Sequence, residues 1–75
     1  MPIQRRPPVN DSSMIASAGV DAGANVAEVE FKTNGAVYRI EGIQPAVVDG
    51  MLAAPSAGQY YNQHIKGKYS AIKIG

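Results

Sequence analysis

Three of the four tyrosines, Tyr60, Tyr61 and Tyr69, fall within ten residues and are interleaved with Gln59, Asn62, Gln63, His64, Lys66 and Lys68. Aromatic rings stack on nucleobases, amides bond to base edges, and ammonium groups hold phosphates. This mixture therefore points to a phosphate-bearing ligand, most simply RNA. In that reading Lys66 and Lys68 hold phosphates, and Tyr60 or Tyr69 stacks on a base. Gln59 and Asn62 supply amide contacts, while Arg39 and His64 add cationic or hydrogen-bonding ones. His64 has two other readings: a cation at a helix C-terminus, where the helix dipole favours positive charge, or a half-buried structural histidine. Tyr61 shares a helical stripe with Ala57 and Ile65 and is expected in the core.

Other chemistries find little support. The chain has no cysteine and one histidine, which excludes disulfides, zinc–thiolate sites, cysteine nucleophiles and a multi-histidine metal site within one chain. No phosphate-binding loop, nucleophile elbow or zinc-protease motif occurs. Glu28 and Glu30 sit where a strand would turn them to solvent, whereas acid–base catalysis needs a recessed pair with shifted pKa values. A non-enzymatic protein without a cofactor is expected.

The net charge is +1, but its distribution is uneven. Arg5 and Arg6 stand without an acid in the first ten residues. Asp11, Asp21, Glu28, Glu30, Glu41 and Asp49 outnumber Lys32 and Arg39 in the middle. Lys66, Lys68 and Lys73 stand without an acid at the end. A basic end in a short chain suggests an anionic partner there. No apolar run approaches the roughly 20 residues of a membrane span. The first ten residues lack the apolar stretch of a secretory signal, so a cytoplasmic location is expected, in a bacterium or an infected cell.

The elements that must position these residues read as a small α+β domain. Pro2, Pro7 and Pro8 make residues 1–12 a flexible Pro/Arg arm. Residues 14–20 alternate apolar positions (Met14, Ala16, Ala18, Val20) and predict a first strand. Ala27, Val29 and Phe31 alternate with Glu28, Glu30 and Lys32 ahead of Asn34-Gly35, the preferred pair for a two-residue type I′ hairpin. That turn sets Phe31 against Tyr38, Val29 against Ile40 and Glu30 against Arg39, with strands over 26–33 and 36–41. Pro45 starts a helix carrying Val47, Val48, Met51 and Leu52 at helical spacing. Within it Gly50 suggests a close backbone contact. Pro55 breaks this helix, Ser56 caps the next, and Gly67 ends it. Alternation through Lys66-Gly67-Lys68 would aim both lysines to one side. The expected order is βββαα: a three-stranded antiparallel meander with two helices on one face, a domain over 13–69 and a tail over 70–75.

The run Ser56-Ala57-Gly58-Gln59-Tyr60-Tyr61-Asn62, with Ile65 and Tyr69, resembles the KTSC domain. Val29-Glu30-Phe31, Tyr38 and Met51-Leu52-Ala53-Ala54-Pro55 extend the resemblance over about 11–69. The family takes its name from the C-terminus of some lysyl-tRNA synthetases and occurs alone in small bacterial and phage proteins. The resemblance implies RNA binding, through the synthetase context. The family's middle strand usually carries a Tyr-x-Tyr pair, where this chain has Tyr38-Arg39-Ile40.

The leading expectation is a non-catalytic binding module for RNA or a nucleotide ligand. One alternative is a phage or mobile-element protein that sequesters a nucleotide signal or inhibits a host protein. Another is a structural oligomeric subunit. A core this small, with two open edges on a three-stranded sheet, suggests a homo-oligomer, most simply a two-fold dimer.

Overall fold

The computed structural model describes residues 3–10 and 12–75. Pro2 of the expected arm and Asp11 of the acidic segment lie outside them. The elements run β1 (Ile15–Asp21), β2 (Val26–Phe31), β3 (Val37–Glu41), α1 (Pro45–Ala53), α2 (Ala57–His64) and β4 (Ser70–Lys73). All four strands form one antiparallel sheet in the order β1-β2-β3-β4. The expected three-stranded βββαα order is therefore overturned: the sheet has four strands, and the fourth follows the helices. Four residues reading Ser-Ala-Ile-Lys are too few to show a period. They become a strand because β3 offers an open edge, and Tyr38 to Glu41 pair with Lys73 to Ser70.

The β2–β3 hairpin departs from the expected register. Val29 faces Tyr38, Ala27 faces Ile40 and Glu28 faces Arg39, so the pairings Phe31–Tyr38, Val29–Ile40 and Glu30–Arg39 do not form. The loop is longer than two residues. Phe31 donates to the Ala36 carbonyl at 2.9 Å, and Gly35 donates back to the Phe31 carbonyl at 3.0 Å. Gly35 has φ 68°, whereas Asn34 stays at negative φ, which rules out type I′. Asn34 acts through its side chain instead: Oδ1 accepts the Ala36 N–H at 3.0 Å. The shift moves the pairing by two positions, so each side chain keeps its face. Ala27, Val29, Phe31 and Ile40 all remain buried.

β1 corrects a second reading. Its register against β2 shifts between Ile15 and Ser17. This bulge adds a residue at Ala16 and changes the alternation. Ile15 and Ala18 are fully buried, while Met14 and Val20 only pack at the margin of the core.

The helices follow their caps. Pro45 is the first residue of α1, and the Ser56 hydroxyl accepts the Gln59 N–H at 3.3 Å to cap α2. Val48, Met51 and Leu52 from α1 and Ala57, Tyr61 and Ile65 from α2 and its end close over the sheet, with Ile43 filling the β3–α1 connection. Gly50 does mark a close approach, though to a side chain: a Cβ there would stand 2.7 Å from the Tyr60 hydroxyl. The described residues of the arm lie against the domain. Arg6 exchanges backbone bonds with Ala18, and Val9 donates to the Leu52 carbonyl at 2.8 Å. Gly19 provides the clearance for this strap, since a Cβ there would collide with the Gln4 carbonyl.

The loop geometry generates a prediction. Gly35→Val forces a β-branched residue into the left-handed region and should lower stability by about 1–2 kcal/mol. Asn34→Ala removes a single part-buried hydrogen bond and should cost about 1 kcal/mol. Chemical denaturation of both variants checks the order. An Asn34→Ala loss larger than that of Gly35→Val would contradict this loop.

Candidate functional site: an aromatic cleft between the hairpin and the second helix

β2 and β3 turn alternate side chains toward the helices, and α2 crosses the hairpin end of the sheet. Phe31 is thereby held between two tyrosine rings. Its centroid lies 5.5 Å from that of Tyr38 and 5.2 Å from that of Tyr61, with interplanar angles of 82° and 79°. Such edge-to-face pairs contribute about 0.5–1.5 kcal/mol each beyond area burial. Beside this trio opens a cleft of about 330 Å³. Met14 completes its apolar wall. Thr33, Asn34, Asn62 and Lys66 supply its polar lining.

Burial raises the Tyr61 hydroxyl above its ordinary pKa near 10, and the neighbouring Tyr38 adds to the effect. At neutral pH the hydroxyl therefore stays protonated and can donate. Asn34 has committed its carbonyl oxygen to Ala36, which leaves its NH₂ group as the donor for a ligand. Lys66 is exposed. Its N–H bonds back to the Tyr61 carbonyl at 2.8 Å, and Lys68 bonds back to Ile65 at 3.0 Å. Gly67 has φ 79°. The segment is thus a turn, and the expected alternation of Lys66 and Lys68 does not form.

The residues singled out in the sequence fall into separate places. Asn62 and Lys66 meet at the cleft. Gln59 and Tyr60 line a second hollow of about 170 Å³ with Pro55, Ser56 and Gln63. His64 is exposed and lies on Tyr60, with ring centroids 4.5 Å apart and tilted by 41°. Lys68 is exposed, and Tyr69 packs half-buried against the core. Arg39 is on the far face of the sheet. It sits opposite Glu28 in the ladder and 3.4 Å from Glu41. It is therefore not gathered with the other candidates.

The cleft also contains residues that sequence reasoning assigned elsewhere. The sequence reads Tyr61 as core, Phe31 and Tyr38 as strand residues, and Asn34 as turn. Lys73 falls in the expected tail over 70–75, yet β4 sets it directly opposite Tyr38. Opposed residues of an antiparallel pair share a face, so Lys73 stands on the helix side, one strand out from the cleft. No local signal could have placed it there.

The KTSC domain model matches residues 11–69. This chain belongs to the KTSC domain family. Two relatives have sequences of similar length. An uncharacterized protein of Stutzerimonas stutzeri is 41% identical over 58 residues, covering 77% of this chain and 80% of the relative. A protein of Tsukamurella paurometabola is 34% identical over 64 residues, covering 85% and 94%. The crystal structure of a KTSC domain protein from Yersinia pestis superposes with a TM-score of 0.87 at 32% identity, covering 99% of this chain and 100% of that one.

The family match spans nearly the whole chain beyond the arm, so this is a small KTSC domain. Among the described residues, no three His, Asp or Glu side chains gather as metal ligands, and no helix is long and apolar enough to cross a membrane.

Tyr61 generates two predictions. Tyr61→Ala should destabilise the domain by about 3–5 kcal/mol, as for other buried aromatics. Its raised pKa also makes stability fall with pH. The folded state holds the proton more tightly, so this contribution is fully present below about pH 10 and is lost as pH rises through the folded pKa. Denaturation midpoints between pH 8 and pH 11, about the unfolded tyrosine value, should fall less steeply in Tyr61→Phe than in the parent. Equal slopes would contradict the assignment.

Proposed function

We propose that this KTSC domain binds a phosphate-bearing ligand, most simply RNA, without catalysis. The observation that carries the reading is the cleft, where aromatic rings, amides and an ammonium group converge within about 330 Å³. A base against Tyr38 and Tyr61 gains stacking or edge contact. Asn34 and Asn62 offer hydrogen bonds to its edge, and Lys66 neutralises a phosphate at the rim. Lys73 and Lys68 extend positive charge along the outgoing strand. Tyr60, His64 and Gln59 form a secondary surface for a longer chain, and the half-buried Tyr69 would stack separately. Arg39 lies on the other face and takes no part. On the sheet's far side Glu28 and Glu41 already engage Arg5 and Arg39, so the lysines of the helix side are the better partners for an anionic ligand.

A second reading rests on the size of the cleft. About 330 Å³ is near the lower end of the roughly 300–1,000 Å³ usual for small-molecule sites. That suits a single nucleotide held for sequestration. Self-association belongs to the proposal as well: two copies would double the number of clefts available to one RNA chain and raise its avidity.

Fluorescence anisotropy with labelled single-stranded RNA of several lengths, compared with mononucleotides, tests the reading. RNA affinity should rise with length and fall with salt. The double variant Lys66→Glu with Lys68→Glu should fold normally, weaken binding, and reduce the log–log salt slope by about 1–2. Tyr38→Ala should lose about 1–3 kcal/mol of binding if a base stacks there. Length-independent binding of one mononucleotide selects the second reading. Parent-like binding by the double variant removes these lysines from the site.

A further inference from the structure

The two edges of the sheet are treated differently. The β1 edge is strapped. Arg6 and Ala18 exchange both backbone hydrogen bonds, at 2.8 and 2.9 Å, and the strap continues past Gly19. The β4 edge carries no such cover among the described residues. All four residues of β4 are exposed. Ile72 and Ile74, at 52% and 51%, are two of the three exposed large hydrophobic residues described. An uncovered edge with apolar side chains is a template for further strand pairing.

The ladder shows which backbone groups are available. Ile74 and Gly75 both donate to the Val37 carbonyl, and Val37 donates to the Gly75 carbonyl. These bonds close β4 with a bulge. They also set the phase of the antiparallel alternation. Val37 points its backbone groups at β4, so Arg39 and Glu41 do the same, toward Ile72 and Ser70. The N–H and C=O groups of Ala71 and Lys73 then point the other way, to the open side.

We infer that the β4 edge pairs with the β4 edge of a second copy of this chain, antiparallel about a two-fold axis at Ile72. This deepens the self-association proposed above and is independent of the RNA reading. In that register Ala71 exchanges backbone bonds with the partner's Lys73, and Lys73 with the partner's Ala71. Ile72 meets its own symmetry mate on the face away from the helices. Neighbouring registers are poorer. Centring on Lys73 sets two ammonium groups directly opposite each other, which is destabilising. Centring on Ala71 places Ile72 against a serine and separates the isoleucines. β4 has no acidic residue, so the register that separates its lysines and joins its isoleucines is the self-complementary one. The two four-stranded sheets become one continuous sheet, and the interface closes at two copies.

Two substitutions separate this surface from any other. Ala71→Pro removes an N–H that faces the open side, a position where an edge strand tolerates proline. Ile72→Lys sets like charges across the two-fold axis without touching the core, since Ile72 is exposed. Sedimentation velocity and light scattering at hundreds of micromolar should give the parent about twice 7.9 kDa and both variants the single mass. Far-UV circular dichroism should be native-like in each. If Ala71→Pro unfolds, Ile72→Lys alone carries the comparison. A monomeric parent overturns both this inference and the proposed self-association. Folded variants that dimerise like the parent overturn the β4 surface and leave self-association on another one. A parent mass that climbs beyond two copies contradicts a closed two-fold interface.

Discussion

Phe31 ties the sheet to the second helix. Its backbone bonds to Ala36 and Gly35 and closes the hairpin. Its ring meets Tyr38 from the neighbouring strand and Tyr61 from α2, both edge-to-face. It also lies opposite Ile15 in β1. Loss of this ring would unseat three elements together, and it would remove the wall against which the cleft is built. An edge-to-face pair has a directional preference that aliphatic packing lacks, so Phe31 also orients the two tyrosines. The two hydroxyls are held near one another, which contributes to the raised pKa of Tyr61.

Around this centre the charges divide by face. Glu28 and Arg39 oppose each other on the side away from the helices, and Glu30 accepts the Ser17 hydroxyl at 3.0 Å. Arg5 approaches Glu28 at 3.9 Å, and Arg6 reaches Asp49 at 2.8 Å. These pairs are exposed or half-exposed and add little stability. Their main effect is to occupy arginines that a reading of charge alone would offer to an anion. Lys66 and Lys73 are placed differently: Lys66 lines the cleft and Lys73 lies on the strand beside it. Local pairing therefore matches acids with arginines both on the far face of the sheet and at α1, in a chain of net charge +1.

The amino-acid sequence by itself determined the short-range features. Pro45 and Ser56 marked the helix starts because a missing N–H and a capping hydroxyl act within one turn. The inward set of β2 and β3 was legible because period-two alternation survives a register shift of two. The Ser56–Tyr69 run carried the family. Tertiary structure decided the rest. Asn34-Gly35 had two hairpin loops open to it, and the four-residue loop won by keeping Phe31 bonded to Ala36. The bulge at Ala16 reset β1 against a partner strand that the segment alone does not contain. β4 is too short to signal itself and exists because β3 had an edge to pair. That pairing brought Lys73 across 35 positions to Tyr38, while the pleat carried Arg39, the residue next to Tyr38, to the opposite face. Residues adjacent in sequence were separated and distant ones joined, because a strand sorts its side chains by parity and a sheet sorts its strands by hydrogen bonds.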